Sequence, residues 1–354
     1  DTLKLRHGPD VKMTPDVILE EAPELPPLTG PTVPTTLNGA LAQVVRQQLE
    51  ANTKELESLE LKSNPDAYDR VHPQNTVFAN EIACVAAYVP DLTEVTKHLR
   101  ERGFKELQVF DVGNTEAVAM VTPDERTIAI AFRGTMSVGD VATDLDANFT
   151  KHDFQGSSHR GFERYVSAVE APLNKYVAAV LKKYPDAKLL LTGHSLGAAA
   201  AVNYAGRVMA DGVAGPQNFG RVITSGAPRV LDAEGIRALE ARLPNRMERQ
   251  VNGRDLVTMV PDPVVISSLA NATGTARAFA QAISGAQASL DELIADNTGR
   301  YTHDRNVLWY DQQGSVPLPQ NPPLRRPSFR DHDRQDYLNR SREWLRTSQE
   351  RGTA

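Results

Sequence analysis

The sequence has 354 residues, 40% of them hydrophobic, and a formal net charge of -6 at pH 7. A chain of this size and composition can bury one large core with appended segments, and its acidic balance provides no basic surface for nucleic acid. The single cysteine, Cys84, excludes an internal disulfide framework. The sequence has no run of about 18 apolar residues, so we expect no transmembrane segment.

The N-terminal part differs in composition from the rest. Residues 1–34 contain seven prolines and are expected to form an extended arm. Apolar residues spaced along 37–61 predict an amphipathic helix on the surface of the body. We therefore expect an N-terminal proline-rich arm with a surface helix, 1–61, and one globular domain, 62–354. Because the chain begins with Asp1 instead of Met, we expect a processed or trimmed chain in which any signal peptide would be missing from view. The location stays open, with a secreted one slightly favoured over a cytoplasmic one.

The pattern from Asn75 onward predicts alternating helices and strands. Helices are expected over 77–88, over 92–102 and, with apolar residues at three and four spacing, over 162–181. Strands are expected at 116–121, 127–132, 189–191, 221–225 and 248–251. The order of helix and strand predicts an α/β fold, with a mostly parallel central sheet and helices on both faces.

A glycine-rich turn joins the strand at 189–191 to an alanine-rich helical stretch. Its sequence, GHSLG at 193–197, matches the G-x-S-x-G nucleophile elbow, in which a strained serine stands at the top of a sheet. Glycines are needed at both ends because larger side chains would block the approach of strand and helix. The alternative is an ordinary glycine-rich turn. The context favours Ser195 as a nucleophile, with His194 turned away from it in a solvated or packing role.

Two further roles follow from the elbow. An oxyanion is held in such sites by the N–H after the nucleophile, here Leu196, and by a donor from the loop after another strand. Thr135, directly after the strand 127–132, could provide that donor, or could cap a helix at 138–145. Asp255, just beyond the strand 248–251, fits the orienting acid, with Asp262 as the competing residue.

Six segments in the same order resemble the class 3 (fungal-type) lipases, and the resemblance covers about residues 75–338. They are AFRGT at 131–135, TDL at 143–145, HRGF at 159–162, GHSLG at 193–197, GAPRV at 226–230 and VNGRDLVTMVP at 251–261. The resemblance implies an α/β-hydrolase fold, a Ser-Asp-His triad, hydrolysis of carboxylic esters of lipids, transient contact with a lipid interface, and neither a cofactor nor a metal. It assigns Ser195 as nucleophile, Asp255 as acid, and Thr135 and Leu196 as oxyanion donors.

Two histidines compete for the role of base. His303 lies in a Y-x-H segment whose histidine, in the family, is not part of the triad. His332 begins a segment that resembles the family's H-x-x-x-Y-L, which carries the catalytic histidine. His332 also follows a proline- and arginine-rich loop, 314–330, and precedes a helical stretch that ends near Gln349. We therefore favour His332.

The sequence departs from the family pattern in three places. The segment where the family has its lid, including Met136, Val138 and Val141, has no tryptophan and presents a thin apolar face. GAPRV is followed by Leu-Asp instead of Gly-Asn. The segment 264–297 is longer than usual, and its apolar residues, among them Ile266, Leu269 and Phe279, form a helical stripe. That stripe could dock on the body, pair with a second copy, or cover the serine and shape the acyl pocket.

The expected function is hydrolysis of acylglycerols or phospholipids by a triacylglycerol lipase or esterase, or by a phospholipase A1. Two alternatives are a lipase-like interaction module without turnover and an esterase for phenolic esters. The sequence leaves the head group, the acyl length and the oligomeric state open.

Overall fold

The computed structural model describes residues 54–84, 92–112, 115–134, 149–151, 154–260, 301–302, 307–311, 317–318 and 330–353. All of them lie within one unit of the chain, Glu50–Ala354. None of the helices in these ranges is both long and apolar enough to cross a bilayer.

In chain order, the strands that the structure describes are β1 (Lys105–Val112), β2 (Thr115–Val121), β3 (Thr127–Phe132), β4 (Phe149–Lys151), β5 (Ser157–His159), β6 (Lys188–His194), β7 (Phe219–Ser225), β8 (Leu231–Asp232), β9 (Met247–Asn252), β10 (Tyr301–Thr302) and β11 (Val307–Tyr310). The five predicted strands lie close to their predicted positions, as β2, β3, β6, β7 and β9. Within the described ranges, seven strands form the central sheet, in the order β1-β2-β3-β6-β7-β9-β11. Strands β3, β6, β7, β9 and β11 of this sheet run parallel to one another, whereas β2 pairs antiparallel with both β1 and β3.

The parallel strands are buried on both faces. In β3, Ile128, Ile130 and Phe132 belong to one apolar cluster, while Ala129 and Ala131 belong to the other. The sequence of β3, TIAIAF, is therefore apolar throughout instead of alternating, which is typical of strands covered by helices on both sides.

Helices cover both faces of this sheet. They are α1 (Pro73–Cys84), α2 (Leu92–Glu101), α3 (Arg160–Lys183), α4 (Leu196–Ala210), α5 (Ala233–Arg242) and α6 (Arg334–Glu350). Apolar residues of α3 and α4 pack in the first cluster, and those of α1 and α6 pack in the second. The predicted α/β fold with a mostly parallel sheet is confirmed.

Helix α6 is docked on α1 by polar contacts as well as by its apolar face. The Asn80 side chain donates a hydrogen bond to the main-chain oxygen of Tyr337, and Arg342 pairs with the buried Glu81 at 3.0 Å. Glu81 also accepts hydrogen bonds from the backbone of Glu60 and Leu61. The second cluster therefore joins segments from near both ends of the described chain.

Two features of the sheets were not predicted. Strand β1 lies at the edge of the sheet, and only Phe110 of its eight residues is buried, so it lacks the apolar signal of an inner strand. A small antiparallel sheet, with the order β10-β8-β5-β4, is built from strands of two or three residues. Strands of this length are too short to show the alternation of apolar and polar residues by which a strand is recognised in a sequence.

Candidate active site

The loop between β6 and α4 holds Ser195 in a conformation that non-glycine residues rarely adopt. Its φ is 59° and its ψ is -123°. The surrounding hydrogen bonds hold it there, since its N–H donates to the Ser225 carbonyl at 3.0 Å and its own carbonyl accepts from Ala198 at 3.0 Å. Strained backbone of this kind is concentrated at functional sites.

The two glycines of the elbow are required for close approach. A Cβ atom on Gly193 would lie 2.2 Å from the main chain of Gly197, and one on Gly197 would lie 2.1 Å from the Phe132 carbonyl oxygen. Real Cβ contacts do not reach such distances, so neither position accepts a side chain without movement of the backbone. The predicted approach of strand and helix is present, and Gly197 additionally packs against the end of β3.

Asp255 follows β9 and is completely buried. Its Oδ1 accepts a hydrogen bond from the Val257 N–H at 2.9 Å. Its Oδ2 lies 2.8 Å from His332 Nδ1 and 2.6 Å from the Tyr337 hydroxyl. Three hydrogen bonds thus support a carboxylate that has no access to water.

His332 joins the acid to the serine. It ends a short 3₁₀ turn, Arg330–His332, before α6. His332 Nε2 lies 2.8 Å from Ser195 Oγ, while Nδ1 faces Asp255. Because a carboxylate accepts, Nδ1 carries the proton and Nε2 is left as an acceptor for the serine hydroxyl. This is the geometry that general-base activation of a serine requires.

Asp331 connects the loop that holds Asp255 to the turn that holds His332 through hydrogen bonds. Its Oδ2 accepts from the Arg254 N–H at 2.7 Å, and its main-chain oxygen accepts from the Asn252 side chain at 3.0 Å. A Cβ on Gly253 would lie 2.4 Å from the same Oδ2. These contacts fix the residues next to Asp255 and His332 and therefore fix the spacing between the two functional side chains.

Gly226, at the end of β7, lies directly against the acid and the histidine. Its φ is +61°, and a Cβ there would lie 2.9 Å from His332 Cε1 and 3.1 Å from Asp255 Oδ2. The motif GAPRV was recognised in the sequence, but the contact of its glycine with the site was not. The need for a glycine at this position depends on a side chain from a distant segment, so the neighbouring sequence does not reveal it.

Sequence reasoning also missed what Tyr337 and His194 contact. Burial raises the pKa of the Tyr337 hydroxyl well above its usual value, and the Asp255 carboxylate beside it raises it further, so the hydroxyl stays protonated and donates to Asp255. The same hydroxyl oxygen accepts from the Asn252 N–H at 3.0 Å. Tyr337 was noted only as part of the H-x-x-x-Y-L segment. The spacing of that segment was the available signal.

His194 is buried, so the solvated role considered for it is wrong and the packing role is correct. Its Nε2 lies 3.0 Å from the main-chain oxygen of His332, and the two rings are 4.7 Å apart at 31°. Burial lowers the pKa of His194 well below its usual value, and the neighbouring His332 lowers it further. The ring is therefore neutral at ordinary pH.

The remaining predicted residues fall in two groups. Leu196 is buried and is the first residue of α4, so its N–H has no partner within the helix. The others lie outside the described residues: Thr135, Met136, Val138, Val141, Asp262, Ile266, Leu269, Phe279 and His303. Among the residues that are described, no group of three or more His, Cys, Asp or Glu side chains is arranged to hold a metal ion.

The fold and this constellation define the class. A parallel sheet, a strained serine between strand and helix, and an acid and a histidine from later loops, in the chain order Ser, Asp, His, are the features of an α/β-hydrolase. Residues 129–265 match the family model described as lipase (class 3). Over these residues the chain is similar to the class 3 lipases.

Fungal lipases are similar to this chain over part of its length. A lipase from Rhizomucor miehei is 34% identical over 158 residues, which are 42% of this chain and 41% of that protein. A lipase from Rhizopus niveus is 32% identical over 158 residues, covering 42% and 38%. A secreted alkaline triacylglycerol lipase from Penicillium cyclopium is 31% identical over 100 residues, covering 26% and 35%. The chain thus spans about two fifths of the curated relatives that it matches.

Solved structures extend the likeness in fold. The lipase from Rhizopus microsporus var. chinensis has a TM-score of 0.53 at 22% identity and covers 80% of this chain and 86% of its own. A Rhizomucor miehei lipase in a complex with its propeptide also has a TM-score of 0.53, at 19% identity, and covers 79% and 77%. At these identities the likeness shows the fold alone.

Proposed function

We propose that this protein is a serine hydrolase that cleaves carboxylic esters of lipids, with Ser195, His332 and Asp255 as its triad. The observation that carries the proposal is the continuous chain of two 2.8 Å contacts, from Ser195 Oγ to His332 Nε2 and from His332 Nδ1 to Asp255 Oδ2. Both contacts lie within the range required for proton transfer.

In the first half of the reaction, Ser195 Oγ attacks the carbonyl carbon of the ester while His332 Nε2 takes the hydroxyl proton. The tetrahedral intermediate collapses, the C–O bond to the alcohol breaks, and His332 returns the proton to the leaving alkoxide. Asp255 holds the imidazole in the productive tautomer and stabilises the imidazolium. The acyl group remains on Ser195 as an ester.

In the second half, His332 takes a proton from water as the water oxygen attacks the acyl-enzyme. The Ser195 ester bond then breaks, the serine recovers its proton, and a carboxylic acid leaves. In both halves the N–H of Leu196 and a donor on Thr135 would hold the oxyanion; each such donor is typically worth about 10²- to 10³-fold in kcat.

Access to the serine is restricted. Ser195 is 1% exposed and His332 is 5% exposed. An ester carbonyl has to come within about 3–3.5 Å of the serine oxygen before reaction, so the site has to open before acylation. Exclusion of water after closure strengthens every charge interaction in the site.

We favour triacylglycerol among the lipid esters, because one matched relative is a triacylglycerol lipase, and we favour a secreted location because the same relative is secreted. A phospholipase A1 uses the same triad on a different head group, and an esterase for phenolic esters differs in the shape of its pocket. A lipase-like module without turnover is the alternative from another class.

The test is a burst assay. Wild-type protein mixed with a p-nitrophenyl ester should release one equivalent of p-nitrophenol rapidly and then turn over. A serine-reactive phosphonate should abolish both phases and label Ser195, as found by mass spectrometry. Ser195→Ala should keep the fold and lose the burst.

A substrate panel then separates the candidates. Triacylglycerols, phospholipids and phenolic esters should be compared at matched acyl length, with fatty acid release as the readout. A folded wild-type protein that is neither labelled nor active on any ester would contradict the proposal and support the interaction module.

A further inference from the structure

The residue before the serine holds the main chain of the histidine. His194 Nε2 lies 3.0 Å from the His332 carbonyl oxygen, across 138 residues of sequence. A carbonyl oxygen only accepts, so Nε2 of His194 carries the proton and donates it. The tautomer of His194 is therefore opposite to that of His332, whose proton is on Nδ1.

The His332 carbonyl needs a partner from outside its own segment. Helix α6 begins at Arg334, with Asp333 as its N-cap, and the Asp333 carbonyl accepts from the N–H groups of Asp336 and Tyr337. The His332 carbonyl precedes this ladder, so the helix does not provide its hydrogen bond. A buried carbonyl without a partner costs about 1–3 kcal/mol, and His194 provides the bond.

The ring of His194 also supports the ring of His332. The two ring centroids are 4.7 Å apart with an angle of 31°, and Tyr337 packs edge-on against His194 at 5.7 Å. Burial lowers the pKa of His194, and the His332 and Arg334 side chains lower it further. Because His194 is buried and neutral, it adds no positive charge next to an imidazolium on His332.

We propose that His194 is a positioning residue that couples the nucleophile to the base. His194 is the last residue of β6, the strand that leads directly into Ser195, and its side chain donates a hydrogen bond to the backbone of His332. Any movement of the elbow then carries the base with it, and the Oγ–Nε2 distance is kept. The inference rests on the proposed hydrolase function and adds to it a residue that never touches the substrate.

Two variants separate the hydrogen bond from the packing. His194→Gln keeps a side-chain N–H donor at a similar reach and removes the ring, whereas His194→Phe keeps a ring and removes the donor. We expect His194→Gln to retain kcat within a few-fold of wild type. We expect His194→Phe to lower kcat by about tenfold to a hundredfold with KM unchanged, since small misplacement of a catalytic group has effects of that size.

A matched control on the same strand is Thr192→Val. Thr192 is also buried, and its hydroxyl donates to the Ala79 carbonyl at 3.4 Å without contacting His332. This control should lose stability but keep kcat. If His194→Phe does not fold, His194→Met replaces it, because methionine is flexible and also lacks a donor. Equal kcat in the donor-lacking variant and in wild type would overturn the proposal.

A second measurement does not depend on turnover. The proton shared by His332 Nδ1 and Asp255 is expected to give a downfield NMR resonance, which should persist in His194→Gln and in Thr192→Val and should broaden or shift in His194→Phe. A resonance identical in all of these proteins would overturn the positioning role. A protein without esterase activity whose resonance responds as described would refute the proposed function and leave the positioning role standing.

Discussion

The Tyr337 hydroxyl donates a hydrogen bond to the same oxygen of Asp255 that faces the histidine. Tyr337 Oη and Asp255 Oδ2 are 2.6 Å apart, and His332 Nδ1 is 2.8 Å from that oxygen. This oxygen of Asp255 therefore accepts hydrogen bonds from two donors, His332 and Tyr337. Tyr337 therefore contributes to the orientation of the acid.

Tyr337→Phe should lower kcat by roughly tenfold, which corresponds to about 1.4 kcal/mol of transition-state stabilisation, and leave KM unchanged. The variant should also lose about 1.5–3 kcal/mol of unfolding free energy, because the lost hydrogen bond goes to a charged group. Kinetics on a soluble ester and urea unfolding measure the two effects. The control is Tyr310→Phe, whose buried hydroxyl donates to Gln250 at 3.3 Å. If both variants keep kcat, Tyr337 has no part in orienting the acid.

Gly226→Ala should abolish most activity while leaving the protein folded. The new methyl group would lie 2.9 Å from His332 Cε1, so the imidazole has to move away from the serine. The left-handed backbone adds about 1–2 kcal/mol of strain to the folded state. Gly212→Ala is the matched control, because Gly212 has a φ of +69° and nothing within 4 Å of a Cβ. The two variants should show similar losses in Tm, and only Gly226→Ala should lose kcat.

The choice between the two histidines is tested by single replacements. His332→Ala should lower kcat by about 10⁴-fold or more, and the double variant with Ser195→Ala should be no worse, because triad members act as a unit. His303→Ala should retain turnover and mainly affect stability or substrate fit. Folded, inactive His303→Ala together with active His332→Ala would reverse the assignment.

The buried pair of Arg221 and Glu248 makes stability depend on pH. The Glu248 carboxylate lies 3.2 Å from Arg221 Nε and accepts from Thr76 at 2.7 Å. Burial raises the pKa of Glu248 above its usual value, and this outweighs the lowering by Arg221. A raised pKa in the folded state favours the protonated form, so the contribution is greatest at low pH and is lost as the pH rises through the folded-state pKa.

Glu248→Gln resembles the protonated form and lacks this dependence. The unfolding free energy of wild type minus that of Glu248→Gln should therefore fall as the pH rises above about 4, near the usual pKa of a glutamate. Glu343→Gln is the control, because Arg346 lowers the pKa of the exposed Glu343 and any small effect has the opposite sign. If the unfolding free energy of wild type minus that of Glu248→Gln rises with pH, the lowering of the Glu248 pKa by Arg221 outweighs the raising of that pKa by burial.

The sequence predicted those parts of the site that are local. The apolar runs of β3 and β6 and the spacing of GHSLG are patterns within a few neighbouring residues. They could therefore be recognised in the sequence, and both strands and the turn that holds Ser195 lie at the predicted positions. Asp255 and His332 were selected by motif order, and the structure brings both within hydrogen-bond distance of their expected neighbours.

Contacts between distant segments were not predictable in the same way. His194 and His332 are 138 residues apart, and Tyr337 and Asp255 are 82 apart. Whether a side chain at such a position meets solvent or a partner depends on how helices dock on the sheet, which no local period records. The charged strand β1 was missed for a related reason, since an edge strand needs little apolar sequence.

We expect the docking of α6 on α1 to decide how early the proposed activity is lost on unfolding. His332 is held next to α6, and Tyr337 is part of that helix, whereas Ser195 directly follows β6 of the central sheet. Sub-global opening, in which one helix detaches while the sheet stays intact, requires less free energy than complete unfolding. We therefore expect the proposed activity to be lost early in unfolding, because a fluctuation that lifts α6 would separate His332 from Ser195 before any strand is lost. Activity measured in rising urea should disappear ahead of the far-UV circular dichroism of the sheet, and Arg342→Met, which breaks the pair with Glu81, should widen that gap.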